Sequence, residues 1–311
     1  MSLGTALRQS VAVALLLALL LLSRQARAAA CCLSATSFGV GRLLVWEDFA
    51  IGLSLGHARV LGEWDAQGSL HLNPPGYSEG ITRAQLWMIV RLHERVQAQV
   101  WVPVLVNDRW SDDQHQIAGN MGDVGGAVRV ELVPIGAFKD LPSLAVTLGG
   151  AFPTGKRVEQ TSPPLFAGAT GLGAYAGSIG LESEYSFLPW FVRLEFGLTG
   201  YLSFRRSDTG QREQYGPLIQ TTLSAGREAF TERMVIAFAL HGEWQDRIAF
   251  DGTSVPDSRA RALSTGVSLS WRANPHWTLL ATGSNSVWPS GVGMNRDARV
   301  GLDVGVRYGH F

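Results

Sequence analysis

Short runs of alternating apolar and polar residues recur from about Phe49 to the end of the chain. In the clearest run, from Val96 to Val106, every even position is aliphatic and most odd positions are not. A period of two predicts a β-strand with two unlike faces. The pattern predicts twelve strands, at residues 49–63, 80–92, 95–106, 122–133, 143–153, 173–186, 190–204, 215–227, 232–245, 260–272, 276–285 and 298–310.

The connections between these strands alternate between long and short. The long polar ones are residues 65–79, 107–121, 154–172, 205–214, 246–259 and 286–297; the short ones are 93–95, 187–189, 228–231 and 273–275, with 134–142 intermediate. Outer-membrane barrels have short periplasmic turns and longer external loops. The chain is therefore predicted to be all-β: a single up-and-down antiparallel transmembrane β-barrel in the cell outer membrane, with both termini in the periplasm.

The two faces of the predicted strands differ in the way that such a barrel requires. In the strand at 190–204, Val192, Leu194 and Phe196 share one face, and Arg193 and Glu195 share the other. A charged Arg or Lys facing lipid at the midplane costs about 2–4 kcal/mol. We therefore expect the aliphatic residues to face lipid and the charges to line the lumen, and Leu194→Arg to impair assembly more than Arg193→Leu. A soluble barrel would have the opposite arrangement.

Aromatic residues concentrate near the strand ends. This placement predicts the two girdles found at membrane interfaces. Those near the short turns are Tyr185, Trp190, Phe191, Trp271, Trp277 and Tyr308, and those near the long loops are Trp64, Phe152, Tyr175, Phe204, Tyr215 and Trp244.

The first thirty residues have the pattern of an export signal. Arg8 precedes an apolar run from Val11 to Leu22, which is too short to span a membrane as a helix, and small residues follow it. We predict a signal peptide at 1–30, a periplasmic or plug-like segment at 31–48 and the barrel at 49–311. Cys31 is a candidate for lipidation. However, Ala28 stands where a lipoprotein signal usually has Leu, which favours two incidental thiols at Cys31 and Cys32.

Composition narrows the range of partners. The formal net charge is zero, so there is no electrostatic case for nucleic-acid binding. Charged residues make up 17% of the chain, against about 25% in soluble proteins. Outer-membrane lipid is the expected surrounding, and the terminal Phe311 resembles the signal read by the barrel assembly machinery. The histidines are scattered without ligand spacing, so we predict no metal site and no cofactor.

The hairpin of the second and third strands predicts an apolar patch in the lumen. Its register places Trp87 opposite Trp101, both pointing inward, with Ile89 and Leu105 on the same wall. One interpretation is a contact surface for a hydrophobic or aromatic solute. The other is packing against an internal plug formed by residues 33–46.

Charged lumen candidates also admit two interpretations: cross-strand ion pairs that stiffen the barrel, or a selectivity ring. They are Arg129, Glu131, Glu182, Glu184, Arg193, Glu195, Arg299, Asp303 and Arg307.

Enzyme activity has little support in the sequence. Glu182 and Glu184 would lie about 7 Å apart, which is within the range of an inverting glycosidase pair, but alternating carboxylates are common in barrels. An outer-membrane phospholipase needs a Ser/His pair, and His57 and His241 have no matching Ser motif. We predict a protein that is not an enzyme.

Two short motifs resemble a known family. Gly122-Asp123 opens the fourth strand, and Pro153-Thr154-Gly155 follows the fifth. This pairing is similar to the MetA-pathway-of-phenol-degradation family of outer-membrane barrel transporters, over about residues 120–205. Lys156 departs from the family pattern, in which an acidic residue usually follows the Pro-Thr-Gly. The resemblance implies an exported barrel that passes aromatic or hydrophobic compounds, and it implies no catalytic residues.

Two functions follow from these expectations. The first is a passive channel or transporter for small hydrophobic or aromatic solutes. The second is a closed structural or adhesive barrel whose long external loops, above all residues 154–172, bind partners.

Overall fold

The structure is a computed structural model that describes residues 41–138, 141–229, 233–288 and 291–311. The predicted signal peptide at 1–30, Cys31 and the first part of the predicted 31–48 segment lie outside these residues. Within the described part of the chain, no helix is long and apolar enough to cross a bilayer.

Strands dominate the described residues, which also contain one turn of 3₁₀ helix at Val158–Gln160. The strands are β1 (Phe49–Trp64), β2 (Leu70–Leu72), β3 (Tyr77–His93), β4 (Val96–Ser111), β5 (Gln114–Met121), β6 (Val124–Val133), β7 (Ser143–Phe152), β8 (Ala176–Phe187), β9 (Trp190–Tyr201), β10 (Phe204–Arg205), β11 (Arg212–Gln214), β12 (Leu218–Ala229), β13 (Met234–Gln245), β14 (Ala249–Phe250), β15 (Thr253–Ser254), β16 (Ala260–Arg272), β17 (Trp277–Asn285) and β18 (Arg296–His310).

Twelve of these strands form a closed antiparallel ring. Its order is β1, β3, β4, β6, β7, β8, β9, β12, β13, β16, β17 and β18, and β18 pairs back onto β1. Closure leaves no free sheet edge across the bilayer, where unpaired backbone groups would find no water. The predicted all-β twelve-stranded barrel is confirmed.

The burial of alternate residues follows the predicted faces. On β9, Val192, Leu194 and Phe196 are 38%, 48% and 47% exposed, whereas Arg193 and Glu195 are 4% and 5% exposed. Aliphatic side chains on the outside and buried charges on the inside are what a barrel in hydrocarbon requires.

Three local features differ from the sequence-based prediction. Residues 107–121 are not a loop: β4 continues to Ser111 and pairs with β5 in a hairpin that extends beyond β6. The strand pattern predicts that Leu92 pairs with Val96. In the structure Leu92 lies in a bulge, and Val96 pairs with His93. Trp64 and Phe191 do not join an aromatic girdle, because they are 3% and 2% exposed and pack against Gly293 and Gly226.

A second, four-stranded sheet lies among the long loops, in the order β10, β11, β14 and β15. Its strands have only two or three residues each, too few to produce a readable alternation of polar and apolar positions. This sheet and the β4–β5 hairpin give the long-loop end of the barrel more order than the sequence predicted.

The barrel lumen as a candidate functional site

A network of ion pairs fills the part of the lumen nearest the short turns, which is the periplasmic half by the rule of loop lengths. Arg129 bonds Glu131 at 2.5 Å and Glu182 at 3.1 Å. Arg193 bonds Glu182 at 3.0 Å and Glu195 at 2.6 Å. Four of these five side chains are less than 9% exposed, and Glu131 is partly buried. The network ties β6, β8 and β9 together.

Residues 42–47, which precede β1, cross this same half of the lumen. Arg42 bonds Glu184 of β8 at 3.1 Å, and Arg307 of β18 donates to Glu47 Oε1 at 2.7 Å. β8 and β18 are six strands apart in the ring of twelve and therefore face each other. Leu44 to Glu47 form a turn, closed by a hydrogen bond from Glu47 N–H to the Leu44 carbonyl at 3.0 Å. The long side chains of Arg42 and Arg307 therefore supply part of the reach across the bore. The chain is thus anchored to opposite walls.

The middle of this crossing segment is buried as well. Leu44 is 1% and Glu47 0% exposed. Arg91 of β3 donates to the carbonyl oxygens of Leu44 at 2.6 Å and Glu47 at 2.8 Å. Charged hydrogen bonds to its backbone therefore fix the segment in place.

Trp87 and Trp101 form one wall, directly opposite each other on β3 and β4. Each indole lies over a glycine of the next strand, Gly52 and Gly125, where any side chain would collide with the ring. Trp87 is 5% exposed and clusters with Ile89 and with Leu43 of the crossing segment. Trp101 remains partly open. The predicted aromatic wall is therefore covered unevenly: Trp87 is almost fully buried, Trp101 is less so, and both border an open space.

That space is a cavity of about 520 Å³. Trp101 lines it together with hydroxyl and amide side chains from the opposite strands, such as Gln220, Thr222 and Ser268. Pockets of 300–1,000 Å³ hold drug-sized molecules. The cavity is large enough for a small solute, and its lining combines apolar side chains with uncharged polar ones.

The loop between β7 and β8, residues 153–175, folds inward and forms part of this cavity. Asn107, on the inner face of β4, donates to the carbonyl oxygens of Ala167 at 2.7 Å and Ala169 at 2.8 Å. Ala167 and Ala174 are 0% and 4% exposed. The loop expected to offer a partner surface is therefore bound to the lumen wall.

The two family-like motifs form the latch of this inner loop. Asp123 accepts hydrogen bonds from the backbone N–H of Gly155 at 3.0 Å and of Leu172 at 3.1 Å. Thr154 donates to the carbonyl of Gly122 at 2.6 Å and accepts from Val124 N–H at 3.0 Å. Pro153 begins the loop that they hold. The motif residues thus join both ends of the loop to the junction of β5 and β6.

The remaining candidates lie apart from the network. Asp303 pairs with Arg83 at 3.2 Å, and both line the cavity. Leu105 is partly buried on the inner face of β4, against Gly122. Arg299 is exposed near the long loops and pairs with Asp297. The sequence-predicted charges are therefore distributed in at least three groups and do not form a single ring.

Sequence reasoning missed one polar cluster. Thr222 Oγ1 and His241 Nδ1 are 2.9 Å apart, and His241 Nε2 lies 3.2 Å from Glu243 Oε1, which also accepts from Gln220. These residues alternate along β12 and β13, a spacing that suggests only a strand. Their pairing depends on the register between two strands, which single-strand patterns do not contain.

Neither a metal site nor a catalytic pair emerges from the part of the chain that the structure describes. No three His, Cys, Asp or Glu side chains in those residues come together as metal ligands. Glu182 and Glu184, the possible glycosidase pair, are each engaged by arginine and are 8% and 2% exposed. Two carboxylates held in this way do not flank an open substrate site.

The fold is shared with a solved outer-membrane channel. A channel from Pseudomonas putida F1 superposes with a TM-score of 0.71 at 12% identity, covering 89% of this chain and 99% of that one. The β domain of the Bordetella autotransporter BrkA gives 0.49 at 12% identity (85% and 99%), and the NanC porin gives 0.47 at 9% (83% and 98%). No protein-family model matches the sequence, and no curated protein is significantly similar to it.

Proposed function

We propose that this protein is a passive outer-membrane channel for small solutes that carry a hydrophobic or aromatic part. The observation that carries the proposal is the cavity of about 520 Å³ inside a closed barrel, with Trp101 on its wall. The similarity of the fold to an outer-membrane channel supports it. Outer-membrane lipid is then the surrounding of the exposed aliphatic belt, and the barrel assembly machinery inserts the chain.

The family-like motifs support the same proposal at a finer level. We propose that the chain is related to the MetA-pathway-of-phenol-degradation family and that its solutes include aromatic compounds. In support, hydrogen bonds join the two motifs: Gly155 N–H donates to Asp123, and Thr154 bonds the backbone of Gly122 and Val124. Lys156 remains the departure from the family pattern.

We propose in addition that residues 31–48 form a plug, of which 42–47 are the described part. The Arg42–Glu184 and Glu47–Arg307 pairs hold the chain across the bore. A solute in the cavity of about 520 Å³ then reaches the periplasm only when residues 42–47 move. Lipidation of Cys31, which would be the first residue after removal of the signal peptide, would keep the residues that follow it near the membrane.

Planar-bilayer conductance and liposome uptake of a neutral aromatic solute test the channel. The informative variant is Arg42→Gln with Glu184→Gln, which removes both charges of one anchor and leaves uncharged polar side chains in their place. We expect low conductance from the wild-type protein and at least a severalfold higher open fraction from the variant.

The matched control is Arg83→Gln with Asp303→Asn, which neutralises a pair on the cavity wall and leaves the segment anchored. We expect its open fraction to equal that of the wild-type protein. If all three proteins fold, as judged by heat-modifiable gel mobility, and none conducts or takes up solute, the channel proposal is rejected.

A further inference from the structure

The wall of the lumen cavity is electronegative. Its four charged side chains are Arg83, Asp123, Glu195 and Asp303, which carry a formal charge of −2 together. Arg83 and Asp303 neutralise each other at 3.2 Å, and Asp123 is occupied by two backbone N–H groups. Among these carboxylates, Glu195 is distinguished by its burial and by a buried oxygen that lacks a partner in the described residues.

One oxygen of Glu195 has no partner among the described residues. Its Oε1 bonds Arg193 at 2.6 Å, while its Oε2 is buried and accepts no hydrogen bond. The residue is 5% exposed. Buried polar atoms nearly always have a partner in native structures, and an exception calls for a bound water, ion or ligand.

Trp101 borders the same cavity. Because Gly125 has no side chain, the indole of Trp101 rests on the wall and one of its faces borders the open space. The face of an indole attracts cations and packs against apolar rings. An unsatisfied carboxylate oxygen and an aromatic surface around one cavity favour a ligand with a positive group and an apolar body.

We propose that this cavity binds small organic ammonium ions. The ammonium group would donate to Glu195 Oε2, and the apolar body would pack against Trp101. This proposal rests on one part of the proposed function, namely that solutes enter the lumen. Binding in the cavity does not require passage to the periplasm.

A bound water is the competing explanation for the unsatisfied oxygen. Glu195 also borders a second cavity of about 20 Å³, together with Gln99, Arg129 and Thr147. A space of this size holds one water molecule, and these neighbours supply polar partners. Water at this position would satisfy Glu195 without any preference for amines, so selectivity distinguishes the two explanations.

Isothermal titration of the full-length barrel in detergent tests the proposal with three probes of one shape: phenethylammonium, neutral 2-phenylethanol and anionic phenylacetate. We expect the ammonium to bind at least tenfold more tightly than the alcohol, and phenylacetate not to bind measurably. Glu195→Gln should reduce the tenfold preference to about one. Trp101→Ala should weaken ammonium and alcohol binding by a similar factor.

The matched control is Glu131→Gln, which removes one charge from the ion network and does not border the cavity. It should leave the ammonium preference unchanged. Equal binding of ammonium and alcohol to the wild-type protein overturns the proposal. This measurement does not depend on the folding of any variant. An equal loss in Glu131→Gln and Glu195→Gln also overturns it, because the preference would then reflect net lumen charge.

The failure of this proposal and the failure of the channel give different results. Conductance without any ammonium preference rejects the binding site and retains the channel. Selective ammonium binding to a barrel that never conducts supports the site and rejects the channel.

Discussion

The two halves of the lumen use the same strand pattern in different ways. In the periplasmic half, arginines and glutamates interlock with residues 42–47 and leave a cavity of about 20 Å³. The other part of the lumen, from the long loops down to Phe191 of β9, is lined by many small hydroxyl and amide side chains and leaves about 520 Å³. Both halves alternate between polar and apolar residues. The size and pairing of the inward residues therefore decide whether the bore is closed or open, and polarity alone does not.

The largest expected loss of stability follows the removal of a charge from the ion network in the periplasmic half of the lumen. Arg193→Leu would leave Glu182 and Glu195 without their shared partner, and removing one member of a buried ion pair costs about 3–5 kcal/mol. Arg83→Leu is the equivalent change in the open half, where the pair with Asp303 is half exposed and is worth at most about 1 kcal/mol. Urea unfolding in liposomes measures both. Similar losses would mean that the two halves do not differ in packing.

The next largest effect is on the outer face. Leu194→Arg places a charge in lipid and should cost about 2–4 kcal/mol, measured in the same unfolding experiment, with Leu194→Met as the control. The sequence alone predicted this change to be more damaging than Arg193→Leu. Because Arg193 makes two buried ion pairs, we now expect Arg193→Leu to lower the free energy of unfolding more than Leu194→Arg. The face pattern does not show how many partners a lumen charge has. If Leu194→Arg unfolds more readily than Arg193→Leu, the buried network contributes less than its geometry indicates.

The strand pattern shows which way a residue faces but not which residues it contacts, and this explains what the sequence could and could not predict. Alternation predicted the barrel and its faces, because hydrocarbon imposes a penalty on each outward charge. It did not predict the β4–β5 hairpin, since beyond the bilayer both faces of Asn107 to Ser111 can be polar. It did not predict the roles of Arg42, Glu47 and Asp123 either, because these residues act through partners that are distant in the chain.

A smaller, local effect is expected at the latch of the inner loop. In Asp123→Asn, one side-chain oxygen becomes an NH₂ group that faces a backbone N–H donor, so that one of the two bonds that Asp123 accepts in the latch is lost. One unsatisfied donor costs about 1–3 kcal/mol, enough to loosen the loop without unfolding the barrel. Limited trypsin digestion should then cleave after Lys156 or Arg157 more rapidly than in the wild-type protein.

Asp208→Asn is the control for the latch, because this carboxylate lies in another loop, where it pairs with Arg206. It should leave cleavage after Lys156 and Arg157 unchanged. Equal cleavage rates in Asp123→Asn and the wild-type protein would show that the Asn107 contacts hold the loop without the latch.

The smallest expected effect is the pH dependence of the loop that contains Asp208. Its ion pair with Arg206 is partly exposed to solvent, which weakens the interaction. The side-chain hydrogen bond from Arg206 lowers the pKa of Asp208 to about 2. A carboxyl group whose pKa is depressed by folding contributes stability above its unfolded value of about 3.9, and the contribution disappears as pH falls through the folded value. The amide of Thr209 donates to Asp208 Oδ1 at 2.8 Å, so its hydrogen exchange, corrected for intrinsic rates, should increase between pH 4 and pH 2. In Asp208→Asn the corrected rate should not change over that range. A change at pH 4 or above would mean that Arg206 does not hold the carboxylate in solution, and the order of the loops would then depend on the short sheet of β10, β11, β14 and β15 alone.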